Sequence, residues 1–307
     1  MGRVLVVGLV NIETTLRVDG FPIDYFPVTY PFHGVRSAVS GTGWNVAKAL
    51  ATLGHDVRLA ALLGADRAGR WAREEILAAG VDDAAVLDTL AATPASVVLV
   101  DPSGRRQVHT DLKDVQEPGT IFPLEAFDAA LAGCDLMVAG NLNLMRPLLA
   151  RARAAGIPVV SDVHVLADLD DPYNRDFMAA ARVLFLSDEG LGGRDPATVL
   201  GDLRERYGPD VVVLGRGGAG ALLLGPDGTA QAAAVAPRGV VNTVGAGDAL
   251  LAGYVHGHLR GADPGAALAG AVVFAGWKVG EHGAAEGFLD APGLADLVAR
   301  VVDSLPA

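Results

Sequence analysis

Val241-Asn242-Thr243-Val244-Gly245-Ala246-Gly247-Asp248, followed at once by Ala249-Leu250-Leu251-Ala252-Gly253, is the stretch on which the reading of this chain turns. Two glycines around an alanine, just ahead of a helix-forming run, leave successive backbone N–H groups free to converge on an anion. The dipole of the following helix adds to their field. The expected product is an oxyanion or phosphate cradle made by Gly245, Ala246 and Gly247. Asp248 comes next, and a carboxylate there is no anion ligand. Its chemistry is that of a base that takes a proton from a hydroxyl, whose oxygen then attacks a phosphorus held nearby. Standing alone, the stretch is equally an ordinary strand-to-helix turn with an acid near the helix N-terminus.

The rest of the composition narrows the context. At 307 residues, 51% hydrophobic and 20% charged, the chain has the material for one large α/β core spanning residues 1–307. A formal net charge of −12 argues against nucleic acid or an anionic membrane as partner, so an anionic ligand needs a local basic pocket. Lysine is scarce (Lys48, Lys113, Lys278). A single cysteine, Cys134, builds neither an intrachain disulfide nor a thiolate metal site, and a reducing cytoplasm is the natural expectation. No segment is apolar for the length a membrane span needs.

Val4 to Val10 is a continuous apolar run, the pattern of a strand covered on both faces in a parallel sheet. Asn11 and Glu13 follow at its carboxyl end, where open α/β sheets place their ligands. Phe21-Pro22-Ile23-Asp24-Tyr25-Phe26-Pro27 through Phe32 is proline- and aromatic-rich, so an edge strand or extended loop is expected. Ser96 to Val100, the turn Asp101-Pro102-Ser103-Gly104 and Arg105 to His109 read as a hairpin. These two insertions, about 12–39 and 93–111, predict a small sheet standing off the main body. Ser40-Gly41-Thr42-Gly43-Trp44-Asn45-Val46 leads into a helix with Val46, Leu50 and Leu53 at helical spacing, stopped by Gly54. Beyond it helices and strands alternate, which calls for a doubly wound, mostly parallel sheet flanked by helices. Asn141, Asn143, Asp162 and His164 stand after strands, as site groups or as caps and turns.

Gly215-Arg216-Gly217-Gly218-Ala219-Gly220 contains Gly-x-Gly-x-x-Gly, but a strand and the turn Gly225-Pro226-Asp227-Gly228 follow instead of a helix and a later acid. The dinucleotide fingerprint therefore fails on context, and no Walker-type lysine loop exists in the chain. The histidines show no metal-ligand spacing.

Asn242-Thr243-Val244-Gly245-Ala246-Gly247-Asp248 resembles the C-terminal signature of the ribokinase-like (PfkB) carbohydrate kinases, Asp-Thr-x-Gly-Ala-Gly-Asp, with Asn242 in place of the leading acid. Gly41, Gly43 and Asn45 are similar to the N-terminal signature Gly-Gly-x-Gly-x-Asn, with Ser40 replacing the first glycine. The resemblance implies a ribokinase-like fold with a β-sheet lid and an ATP-dependent sugar kinase, with Asp248 as base and the Gly-Ala-Gly amides as anion hole. It assigns the acceptor to Asn11, Glu13, Gly41, Gly43 and Asn45, the family's Asn-x-Asp pair reading Asn11-Ile12-Glu13 here, with Asn141 after its strand as a further acceptor candidate. It assigns ATP to Gly215, Arg216, Gly217, Gly220 and Thr243, with Val272 and Gly276 facing the base.

The family's magnesium motif Asn-x-x-Glu is absent after Leu186, where Ser187-Asp188-Glu189-Gly190 stands, so Asp188 and Glu189 are the substitutes for Mg2+. In some members the last helices and the Gly-Ala loop also hold a monovalent cation. A nucleoside kinase of the same fold, its base stacked on lid aromatics, remains open, as do a non-catalytic sugar-binding protein and a homodimer formed through the lid.

Overall fold

The computed structural model describes residues 1–304. Its first part holds β1 (Arg3–Val7), β2 (Asn11–Arg17), β3 (Val35–Ser40), α1 (Thr42–Thr52), β4 (Asp56–Gly64), α2 (Arg67–Ala78), β5 (Asp82–Leu90), β6 (Ala95–Val100) and β7 (Arg106–Asp111). The middle adds α3 (Leu124–Leu131), β8 (Leu136–Ala139), α4 (Arg146–Ala154), β9 (Val159–Val165), α5 (Arg175–Ala180), β10 (Val183–Ser187) and α6 (Pro196–Tyr207). The last part has β11 (Val211–Gly215), β12 (Ala221–Gly225), β13 (Gly228–Ala232), α7 (Ala246–Leu259), α8 (Pro264–Lys278) and α9 (Ala291–Ser304).

A nine-stranded sheet runs in the order β13-β12-β11-β10-β9-β8-β1-β4-β5, with β12 and β13 as an antiparallel hairpin on an otherwise parallel sheet. Period-two alternation divides each central strand between two cores. Val4 and Val6 of β1 pack in one apolar cluster with α1, α7 and α8, while Leu5 and Val7 pack in the other with α3 to α6. Each fully buried Leu or Val contributes about 1.5–3 kcal/mol, so both helical layers are bound by their own faces. Strand order reverses between β1 and β8, where an open sheet leaves its crevice.

Local chemistry sets the helix ends. Asp195 caps α6 by accepting from the Thr198 N–H at 2.9 Å, Pro196 begins it, and left-handed Gly208 stops it.

The small sheet has the order β3-β2-β6-β7 and draws on the two insertions. Residues 18–34 between β2 and β3 form no strand, and Tyr25, Phe26, Tyr30 and Phe32 stand exposed instead of packing the small sheet onto the main body. The apolar run 4–10 is not one strand. β1 ends at Val7, because the Leu9 carbonyl accepts the Gly43 and Trp44 N–H groups of α1 at 3.0 and 3.3 Å instead of joining a ladder. Asn11 and Glu13 therefore sit on β2 of the small sheet and not at a main-sheet strand end.

Candidate active site

α7 begins with Gly245 as its N-cap, left-handed at φ 78°, with no side chain capping the first turn. A Cβ at Gly245 would lie 2.6 Å from the Ala284 carbonyl, so glycine is required here by backbone crowding as well as by φ. The Ala246 N–H is spent on the Thr243 carbonyl at 3.2 Å, which fixes the turn. Gly247 is exposed and has open space where a side chain would stand. An uncapped helix N-terminus with an unshielded glycine is an anion seat.

Asp248 lies one step further on, half-buried and lining a cavity. Burial pushes its carboxyl up to about 6, against the Asn45 amide, which donates to Oδ2 at 2.7 Å and favours the charged form. Asp162 and His164, from the end of β9, line the same cavity as Asp248. His164 is left-handed at φ 58°, its N–H held by Asp162 Oδ1 at 2.8 Å. His164 and Lys278 lower the Asp248 carboxyl, whereas Asp162 raises it.

A polar shelf reaches this carboxylate from the small sheet. Glu13 and Asn11 of β2 and Ser40 of β3 are buried. The Ser40 hydroxyl lies 3.1 Å from Glu13 Oε2 and 3.4 Å from Asn45 Oδ1, and its single proton serves one of them at a time. Burial raises the Glu13 carboxyl, and the Ser40 bond and the Lys278 charge offset part of that. Asn11 donates to Ser96 Oγ at 3.0 Å while its Oδ1 is buried without a partner. An unpaired buried acceptor is costly and fits a group waiting for a ligand hydroxyl.

Other expected residues fall elsewhere. Gly41, at φ 107°, would place a Cβ 2.5 Å from the Leu9 carbonyl, and Gly43 one 2.6 Å from the Gly8 carbonyl carbon. These glycines let α1 rest directly on residues 8–10, and Gly43 also lines the cavity that holds Asp248. Asn141 donates to Asn174 Oδ1 at 3.1 Å and is not among the residues lining the Asp248 cavity. Gly220 would set a Cβ 2.0 Å from the Ala232 carbonyl, so it admits neighbouring chain, whereas Gly217 faces open space. Gly215 and Arg216 join β11 to that turn. Val272 is buried in the core, and Gly276 backs onto the Val235 carbonyl, so neither side of α8 at these positions is open.

Two charged residues enter from unexpected elements. Arg106 of β7 reaches from the small sheet and donates to Thr243 Oγ1 at 3.0 Å, with Glu189 3.5 Å away. Lys278, at the end of α8, is fully buried and donates to the Val244 carbonyl. A lone lysine closing the apolar run Ala271 to Trp277 was the available signal for the second.

The architecture has known counterparts. The family described as pfkB family carbohydrate kinase matches residues 1–291. The chain belongs to this family. This pfkB-family kinase is 33% identical over 297 residues to the ATP-dependent ribose-1-phosphate kinase of Halopiger xanaduensis, covering 92% of this chain and 94% of that one. It is 30% identical over 269 residues to the acarbose 7(IV)-phosphotransferase of an Actinoplanes species, covering 84% and 85%. A solved microbiome-derived acarbose kinase superposes with a TM-score of 0.86 at 25% identity, over 97% of this chain and 99% of that one. A ribokinase-like structure from Agrobacterium tumefaciens gives 0.85 at 20% identity, over 99% of each chain, a likeness of fold.

Kinases of this kind work with Mg2+. Among the described residues no group of three or more His, Cys, Asp or Glu side chains is gathered to hold a metal. Mg2+ needs no such cage, since it keeps waters and takes one or two carboxylates beside substrate phosphates. Asp188 and Glu189, on the turn after β10 and not fully buried, have the donor chemistry for that share.

Proposed function

We propose that this pfkB-family kinase transfers the γ-phosphoryl group of ATP to a hydroxyl of a small sugar, with Asp248 as the base. The observation that carries this is the Asp248 carboxylate, with its pKa raised to about 6, in the first turn of a helix whose N-terminus no side chain caps. A base near the operating pH beside an anion seat is what in-line transfer from an alcohol requires. Asn45 aims and charges the base, Gly245 and Gly247 seat the transferring group while the Ala246 N–H fixes the turn, and Arg106 with Thr243 supplies a positive group on the open side. Asn11, Glu13 and Ser40 present acceptor and donor groups to the sugar hydroxyls. Gly217, Arg216, Gly215 and Gly220 frame the nucleotide turn. Mg2+ bound to the phosphates and the Asp188–Glu189 turn would neutralise charge on them.

The small sheet acts as the lid in this reading. A reducing compartment agrees with the buried thiol of Cys134, which burial pushes up and leaves unreactive. A nucleoside acceptor is the second reading, supported by Tyr25 and Phe32, 92% and 79% exposed on the segment beside the lid. The outer edges β3 and β7 of the small sheet also suit a two-lid homodimer.

The test is ADP release with Mg-ATP across pentoses, hexoses, their phosphate esters, oligosaccharides and nucleosides. Turnover with a sugar class is expected, and turnover with nucleosides alone moves the assignment to the second reading. Calorimetric sugar binding with no ADP release from any acceptor would make the protein a non-catalytic binder.

A further inference from the structure

Lys278 is the only lysine or arginine among the described residues that is buried, at 0% exposure. A buried ammonium is expensive unless its surroundings compensate it. Here the compensation is specific. Nζ donates to the carbonyl of Val244, inside the turn that presents Gly245 to Gly247. Asp248 of α7, Glu13 of β2 and Glu286 of the loop after α8 are the anionic groups acting on it, and Arg106 of β7 opposes them. Burial lowers its pKa to about 8, which still leaves it mostly charged at neutral pH.

The adjoining joint is closed in the same manner. Asn242 Nδ2 donates to the His282 carbonyl at 2.6 Å, and Asn242 Oδ1 accepts the Val244 N–H at 3.0 Å. Asn242 is also the one position that departs from the Asp-Thr-x-Gly-Ala-Gly-Asp pattern. An aspartate there would bring a second negative charge to a site whose positive charge is already supplied. It would also have no N–H for His282. The Val244 and His282 carbonyls, between the anion turn and the loop after α8, thus carry N–H donors from the chain itself. A monovalent cation bound at this junction would need such oxygens free, so the residues present do not fit one.

We propose that Lys278 is a tethered substitute for a dissociable monovalent cation. Its ammonium holds the Val244 carbonyl and with it the amides of Gly245 to Gly247, and Asn242 is the neutral partner that the substitution requires. The role rests on the phosphoryl-transfer reading above. Lys278 is a positioning residue, since it acts on the reacting groups through Val244 and through the charge of Asp248.

The test compares KCl with tetramethylammonium chloride at equal ionic strength, reading the thermal midpoint and the kinetics of the wild type, Lys278→Met and Asn242→Asp/Lys278→Met. The wild type is expected to show the same midpoint and the same kcat in both salts. Lys278→Met is expected to lose about 10-fold or more in kcat, with KM for ATP changed far less. The double variant is expected to gain a midpoint and an activity that depend on K+, and folding in KCl alone counts as that gain. A wild type stabilised or activated by K+ overturns the proposal. So does a double variant indifferent to K+, or one unfolded in both salts. Because the midpoints need no acceptor, failure of every acceptor in the ADP assay would sink the kinase reading and leave this one standing or falling on its own data.

Discussion

Asn45 Nδ2 and Asp248 Oδ2 meet at 2.7 Å although 203 residues separate them in the chain. The bond ties the first turn of α1 to the first turn of α7, and its donor stabilises the carboxylate over the acid. Replacing Asn45 by Leu therefore drives the Asp248 pKa upward from about 6. A hydrogen bond to a charged group is worth about 1.5–3 kcal/mol, or roughly 1–2 pH units. The acid limb of the kcat/KM profile should move to higher pH by that amount; an unmoved limb would show that this amide does not tune the base.

In the wild type the same limb should lie near pH 6, with activity rising as Asp248 loses its proton. Asp248→Asn should lose about 10²–10⁴-fold in kcat, while calorimetric ATP binding stays close to wild type. Full activity in that variant would remove Asp248 from the chemistry.

Arg106 belongs to an exposed strand, and its contacts to Thr243 and Glu189 cross from the small sheet to the main body. Surface pairs of this kind contribute about 0–1 kcal/mol, so Arg106→Ala should shift the melting temperature by no more than a few degrees. Its kcat/KM should nevertheless fall about 10-fold or more if the guanidinium meets a phosphoryl group. A melting shift without a kinetic loss would reduce Arg106 to a strut.

Gly220 combines φ of 89° with a Cβ position 2.0 Å from the Ala232 carbonyl. Gly220→Ala should destabilise the protein by at least about 2 kcal/mol, read as a lower urea midpoint at unchanged m. Gly217→Ala has φ of 49° but open space, so its loss should be smaller.

His55 and His256 form a buried chain behind the sheet: the Gly2 N–H donates to His55 Nδ1 at 3.2 Å, and His55 Nε2 lies 3.0 Å from His256 Nδ1. With Nδ1 of His55 accepting, Nε2 carries the proton and donates, so both rings are neutral. Burial lowers both, His256 to about 4 from 6.5. Between those values the unfolded chain binds the extra proton and the folded one does not. The stability is therefore complete above pH 6.5 and falls as pH drops toward 4, by on the order of 3 kcal/mol for His256. Urea midpoints should decline over that window, and the decline should flatten in His256→Gln.

The fold was legible because its signals are local. Alternating apolar strands and helical spacings, as in Val46, Leu50 and Leu53, announce a doubly wound sheet, and the glycines of Gly245 to Asp248 mark the turn that starts α7. β5 went unread because an edge strand exposes one face, so Asp82-Asp83-Ala84 and Asp88-Thr89 break the apolar pattern. Arg106 and Lys278 went unread because their partners, Thr243 and Val244, are brought near by tertiary folding. Gly41 and Gly43 show the converse: the motif was recognisable, but the Leu9 and Gly8 backbone that makes glycine necessary lies at the end of another strand.

The Ser40 hydroxyl stands between Glu13 on the small sheet and Asn45 on the main body, so the polar groups of the site lie on both sides of a seam. On the proposed reading an acceptor would span that seam, touching Asn11 and Glu13 with one hydroxyl while offering another to Asp248. Solvent is the most abundant competing nucleophile, and a water molecule has no second hydroxyl to place on the other side. On that reading the divided shelf would favour a polyol over water as acceptor, so that the phosphoryl donor is spent on the sugar.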